Sequence, residues 1–180
     1  MFNLKGKVAL VTGVGSPEGI GFASAKLLAK AGAKIFITST TKRILEREKE
    51  LKSLFGNDNI SSLEADLTVE NQVSNLSKIV IKKFNQIDIL VNNAGMVQIG
   101  NDQPSKKFIE HSLESWNYGI DINLKSTFLV TRYILPDLKK QQFGRIINIS
   151  SVTGPIVGIS GSTVYGSAKA AMLGLTRSLA

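Results

Sequence analysis

The chain contains no cysteine, which rules out disulfides and thiolate chemistry and fits a reducing compartment. It has one histidine, His111, so the usual His/Cys zinc sets cannot be assembled, and no metal site is expected. No apolar run approaches the length of a membrane span, and Met1 to Lys7 lacks the apolar core of a signal peptide. Internal repeats, low-complexity tracts and linkers are missing as well. A cytoplasmic protein that neither crosses nor anchors in a membrane is expected.

What is present is a chain of 180 residues, 43% hydrophobic and 20% charged, enough for one domain with a substantial core. The net charge of +8 raises the question of nucleic acid. The cations are scattered along helical faces, at Lys42, Arg43, Arg47, Lys49 and Lys52, then at Lys78, Lys82 and Lys83. Glu46, Glu48 and Glu50 interleave with the first group. This pattern reads as a solvated surface, and no nucleic-acid partner is expected.

Strand and helix signals alternate. Val8 to Val11 is a short apolar run of the kind buried on both faces of a parallel sheet, and Phe22 to Ala31 follows as a helix. Lys34 to Ser39, Ile60 to Ala65 and Ile87 to Val91 read as further strands, with helices over Thr40 to Leu54 and Val69 to Phe84. Met96 to Ser115 is a long connection holding His111, read as an exposed loop residue, and Trp116 to Lys139 reads as one long helix that Pro136 kinks or ends. Gly144 to Ser151 reads as a last buried strand. With no hairpin signal, the fold class is α/β: a doubly wound parallel, Rossmann-like sheet with helices on both faces.

Between the first strand and helix lies Thr12-Gly13-Val14-Gly15-Ser16-Pro17-Glu18-Gly19-Ile20-Gly21. Glycines there let the backbone approach a pyrophosphate, and the helix N-terminus offers unpaired N–H groups. The second strand lacks the terminal acid that would hold adenosine ribose hydroxyls. Ser39, Thr40, Thr41, Lys42 and Arg43 supply hydroxyls and cations instead, which suit a 2′-phosphate, so NADP(H) is favoured over NAD(H). The competing reading is that Lys42 and Arg43 decorate a helix start. Asp66-Leu67 and Asn92-Asn93-Ala94-Gly95 stand at the ends of later strands, where such sheets bind ligands.

Tyr165 and Lys169 are four residues apart on an apolar, Ala-rich run, hence on one face of a helix. A phenol beside an ammonium is a plausible proton-transfer device, because the cation stabilises the phenolate. Ser151 ends the preceding strand. Asn123 falls mid-helix, where Asn is a poor helix former; it either binds backbone or water as a buried amide or faces solvent.

Together, Thr12-Gly13 with Gly19-Ile20-Gly21, Asp66, Asn92-Asn93-Ala94-Gly95, Asn123, Ser151, and Tyr165 with Lys169 resemble the short-chain dehydrogenase/reductase family, in the family's order and over the whole chain. Ile122-Asn123-Leu124 and Gly144-Arg145-Ile146-Ile147 are similar to its bacterial 3-oxoacyl-[acyl-carrier-protein] reductases. The resemblance implies an oxidoreductase passing hydride between NADP(H) and a small-molecule carbonyl or alcohol. Tyr165 would protonate the carbonyl oxygen, and Lys169 would ease loss of the phenolic proton and bind the nicotinamide ribose. Ser151 would hold the substrate oxygen, and Asn123 a proton-relaying water. Thr12, Gly13, Gly15, Ser16, Gly19, Ile20 and Gly21 would cradle the cofactor, with Asp66 and Leu67 at the adenine and Asn93, Ala94 and Gly95 along the adenosine-side ribose. Pro17-Glu18 lengthens the family's glycine turn by two residues, and the long Ser151 to Tyr165 interval brings in Ser150 or Ser162 as alternatives. Family members continue beyond the point where this chain stops, so residues 1–180 are expected to be a single dinucleotide-binding domain truncated at its carboxyl end. The alternatives are a catalytically inactive dinucleotide-binding remnant with a structural or regulatory role, and a sugar-nucleotide epimerase or dehydratase. Relatives form dimers or tetramers, so a homo-oligomer is expected of a complete form.

Overall fold

The computed structural model describes residues 3–95 and 106–180. Five parallel strands form one sheet in the order β3-β2-β1-β4-β5: β1 Val8–Thr12, β2 Lys34–Ser39, β3 Ile60–Glu64, β4 Ile89–Asn92 and β5 Arg145–Asn148. Helices α1 Ile20–Lys30, α2 Arg43–Phe55, α3 Glu70–Phe84, α4 Leu113–Ile120, α5 Ser126–Lys140 and α6 Thr163–Leu179 flank the sheet, with a π-helical turn at Asp121–Lys125 and single 3₁₀ turns at Asn57–Asn59 and Phe108–Glu110. The sheet is Rossmann-like, with helices on both faces.

Strand alternation divides the core in two. Ala9, Val11, Ile35 and Ile37 pack with Phe22 and Ala25 of α1 and Ile44 and Leu51 of α2. Their neighbours Leu10, Phe36 and Leu90 face the other way, onto Val73, Leu76 and Val80 of α3 and Val130 and Ile134 of α5. Each fully buried large side chain contributes about 1.5–3 kcal/mol of apolar transfer, which explains why β1 is almost wholly apolar and why Ile35, Phe36 and Ile37 stand side by side in β2. At the amino-terminal edge of the sheet, buried Asp88 accepts hydrogen bonds from the Val8 amide (2.9 Å), Lys7 Nζ (3.2 Å) and Gln86 Nε2 (2.7 Å).

Four expectations need correction. The long helix over Trp116 to Lys139 is three pieces: α4 begins earlier, capped by Ser112 Oγ accepting from Ser115 N (3.1 Å), and a π-helical turn at Asp121–Lys125 separates it from α5. Pro136 does not end α5, which runs to Lys140; Pro136 and Arg132, whose carbonyl the proline cannot serve, both lie on the exposed face, where water can. β5 is not buried: it is the sheet's outer strand among the described residues, and Ile147 is 44% exposed. Arg47 is not a surface cation either. It is buried on α2, with its guanidinium carbon 5.6 Å from the Phe22 ring centroid, and it is paired with Glu46 and Glu50.

Candidate active site

Thr12 and Asn93 tie the carboxyl ends of β1 and β4 together. Thr12 Oγ1 lies 3.3 Å from the Val91 carbonyl, to which it donates, and accepts from the amides of Asn93 and Ala94, both at 3.0 Å. Asn93 Nδ2 donates to the carbonyls of Thr12 (3.0 Å) and Gly13 (3.1 Å). This crowding dictates glycine: a Cβ at Gly13, where φ is +72°, would stand 2.8 Å from the Ala94 amide nitrogen, and one at Gly21 would overlap the Asn93 carboxamide. Asn93 thus holds the turn's backbone in place.

The additional Pro17-Glu18 is absorbed as an exposed β-turn, with Pro17 at its second position and the Gly19 amide donating to the Ser16 carbonyl at 3.3 Å. Gly19, Ile20 and Gly21 then open α1, whose N-terminus has no side-chain cap. Its first-turn N–H groups are unserved by side chains, as an anion site requires.

A cleft of about 230 Å³ lies over this turn. Gly13, Gly15, Ser16, Ser39, Thr40, Arg43, Asp66, Leu67, Ala94 and Gly95 all line it. Thr12, Gly19, Ile20, Gly21 and Asn93 support the cleft without lining it. Arg43 Nε donates to Thr41 Oγ1 (3.2 Å), and its Nη2 would lie 3.6 Å from a Cβ at Gly15. Among the described residues no carboxylate pairs with Arg43, whereas Arg47, one turn on, is held by two. Asp66 Oδ1 is held by the Thr68 amide (2.9 Å) and hydroxyl (2.7 Å). Thr41, of the hydroxyl-rich run, and Ile122, of the Ile122-Asn123-Leu124 segment, line the cleft too. Ala65, Thr68 and Ser126 also line it and carry no distinguishing signal in the sequence.

At the other end of the site, Asn123 and Lys169 converge on Gly95. A Cβ there would be 2.9 Å from Asn123 Oδ1 and 3.4 Å from Lys169 Nζ. Asn123 is buried, which excludes the solvent-facing reading, and its Nδ2 donates to the Gly119 carbonyl at 3.0 Å across the start of the π-helical turn. Lys169 is buried too; its Nζ donates to the Ile149 carbonyl (2.8 Å) and lies 5.7 Å from the Tyr165 ring centroid. Burial pushes the Lys169 ammonium below its ordinary value of 10.5. Ser150 Oγ donates to the Lys169 carbonyl (2.8 Å), a bond that anchors α6. Ser151 Oγ accepts from the Thr153 amide (3.1 Å), leaving its own proton to donate. Asn92 and Asn148 extend the anchorage: Asn92 Nδ2 donates to Thr131 Oγ1 and Asn148 Oδ1, and Asn148 Nδ2 to Thr176 Oγ1 on α6.

The sequence profile described as short chain dehydrogenase matches residues 7–180. The chain belongs to the short-chain dehydrogenase family. A 3-oxoacyl-[acyl-carrier-protein] reductase, FabG, of Aquifex aeolicus is 39% identical over 178 residues, covering 98% of this chain and 68% of the relative. An uncharacterised oxidoreductase of Thermotoga maritima is 38% identical over 178 residues, covering 99% and 66%. Among solved structures, a short chain dehydrogenase from Mycobacterium smegmatis superposes with a TM-score of 0.89 at 28% identity, covering all of this chain and 73% of the other. A metagenomic short-chain oxidoreductase in complex with NADP gives 0.86 at 30% identity, covering 98% and 76%. This short-chain dehydrogenase chain therefore spans about two thirds of the length of the curated relatives it matches.

His111 is half-buried and not the exposed loop residue expected. Its Nδ1 is 3.4 Å from Ser115 Oγ, and among the described residues its Nε2 has no hydrogen-bond partner. Residues 96–105 of the long connection lie outside the described residues. Among those described, no helix is long and apolar enough to cross a membrane.

Proposed function

We propose that this chain carries the cofactor-binding and catalytic core of an NADP(H)-dependent reductase of small-molecule carbonyl compounds, 3-oxoacyl thioesters among them. The observation that carries the reading is the convergence of Asn123 Oδ1 and Lys169 Nζ on Gly95, which itself lines the phosphate-suited cleft, with Lys169 carried by the helix that bears Tyr165. The residues present fit the cofactor: a helix N-terminus without a side-chain cap for the pyrophosphate, and an arginine that pairs with no carboxylate among the described residues, beside two hydroxyls, for the 2′-phosphate. The NADP held by one structural neighbour and the name of the Aquifex relative support the same reading.

Bound NADPH supplies the hydride that reduces the carbonyl carbon. The Tyr165 hydroxyl gives its proton to the carbonyl oxygen, yielding the alcohol. Ser151, its lone pair engaged by the Thr153 amide, keeps its own O–H and donates a hydrogen bond to the same oxygen, which orients it. The Lys169 cation, over the Tyr165 ring, stabilises the phenolate that results, and its ammonium, already made more acidic by burial, returns a proton. Asn123 holds its carboxamide oxygen towards Gly95, where a water can link Lys169 to solvent. In this reading the enzyme acts in the cytoplasm as a homo-oligomer.

Tyr165→Phe removes the acidic hydroxyl and keeps the ring. NADPH titration followed by fluorescence should be unchanged, while reduction of a 3-oxoacyl thioester falls roughly 10²–10⁴-fold. Near-full turnover in the variant would overturn the reading.

A further inference from the structure

Two contacts fix what surrounds Tyr165. Val164 packs against Gly119 of α4, where a Cβ would overlap its Cγ1, and Gly166 packs against Gly154 of the segment joining β5 to α6. Successive helix positions are about 100° apart, so Val164 and Gly166 face two different walls and Tyr165 points into the arc between them. Lys169, four residues on, points into the same arc.

The wall beside Gly166 is a compact knob built directly on Ser151. The Thr153 amide donates to Ser151 Oγ, Gly154 N to the Val157 carbonyl, and Ile156 N to the Val152 carbonyl. Its surface is aliphatic: Val152 is 66% exposed, Ile156 77% and Ile159 53%. From Ile146 to Ala168 the chain contains no charged residue. Phe108, Ile109 and Leu113, before and at the start of α4, are exposed as well. The charges there are Lys106, Lys107, Glu110 and Glu114, and Glu110 accepts from the Lys107 amide.

Val152, which follows the serine that orients the substrate oxygen in this reading, and Ile156, bonded to Val152 through the backbone, are water-exposed aliphatic side chains that favour an apolar occupant. A carboxylate or phosphate placed there would lose hydration with no cation on the knob to replace it. We infer that the carbonyl substrate is neutral and apolar next to its reacting carbon, its hydrocarbon part lying against Val152, Ile156 and Ile159. This rests on the reductase reading above and narrows it: the hydrocarbon next to the carbonyl, and not a carrier or an anionic tail, supplies recognition at this wall.

The test compares 2-octanone with 4-oxopentanoate, a ketone with a carboxylate nearby, by ligand-observed NMR on the full chain saturated with NADPH. Octanone should bind at least roughly tenfold more tightly, and Ile156→Glu should cost it roughly tenfold with NADPH affinity unchanged. Equal or tighter binding of 4-oxopentanoate, an Ile156→Glu variant that binds octanone normally, or no binding of either ketone would overturn this inference alone. Failure to bind NADPH would overturn the reductase reading and this inference with it.

Discussion

A methyl group on Gly154 would stand 2.0 Å from the carbonyl oxygen of Gly166, yet one on Gly166 would meet Gly154 at an ordinary 3.4 Å. The segment carrying Ser151 is therefore seated backbone to backbone on the turn carrying Tyr165, and only one of the two glycines is indispensable. Gly154 also has φ +95°, a region that side chains strain to adopt. Gly154→Ala should lower stability by about 1–3 kcal/mol and reduce turnover, while Gly166→Ala stays within about 1 kcal/mol of wild type. Denaturant unfolding and steady-state kinetics of both variants would check this; equal effects would contradict it.

Arg43 and Arg47 are one helical turn apart and differ in their surroundings. Two glutamates and the Phe22 ring hold Arg47, while Arg43 lines the cleft with Thr41 as its one hydrogen-bond partner among the described residues. Arg43→Ala should weaken NADPH by about 1.5–3 kcal/mol, tenfold or more, and leave NADH within a factor of about two. Parallel titrations with the two cofactors decide it. An equal loss for both would show that Arg43 does not read the 2′-phosphate.

Burial makes the Lys169 ammonium costlier in the folded chain than in the unfolded one. Below the ordinary 10.5, and down to the lowered folded value, the unfolded chain holds more protons at this position. Folding stability relative to Lys169→Met should therefore rise with pH through that window and fall off as pH drops. Unfolding free energies of both proteins at about pH 8 and about pH 10 measure it. A difference independent of pH would mean that the ammonium is not desolvated.

The fold was legible wherever a residue's fate depended on its neighbours in sequence. Val8 to Val11 alternates between two cores, and an unbroken apolar run is what such a strand needs. Gly144 to Ser151 has the same appearance, but burial of β5 depends on what flanks it, which no local pattern encodes. Arg47 looked like a solvated cation because the ring beneath it comes from another helix, twenty-five residues earlier. The π-helical turn was hidden for a related reason: no Pro or Gly marks Asp121–Lys125, and the bond from Asn123 to the Gly119 carbonyl becomes visible only in three dimensions. Asn123, Tyr165 and Lys169 stood out as unusual residues at telling spacings. Thr68 and Ser126 are hydroxyls like many others, and only the shape of the cleft singles them out.

Thr12 Oγ1 joins three backbone groups of β4 and its following turn, and Asn93 returns two bonds to the glycine turn. These five bonds are internal to the chain, so the two strand ends are rigid before any ligand arrives. The entropy of ordering that surface is lost during folding and not during cofactor capture. Dinucleotide association at this end should accordingly run as a single kinetic phase, its rate set by diffusion and charge, with no slow rearrangement of the glycine turn behind it.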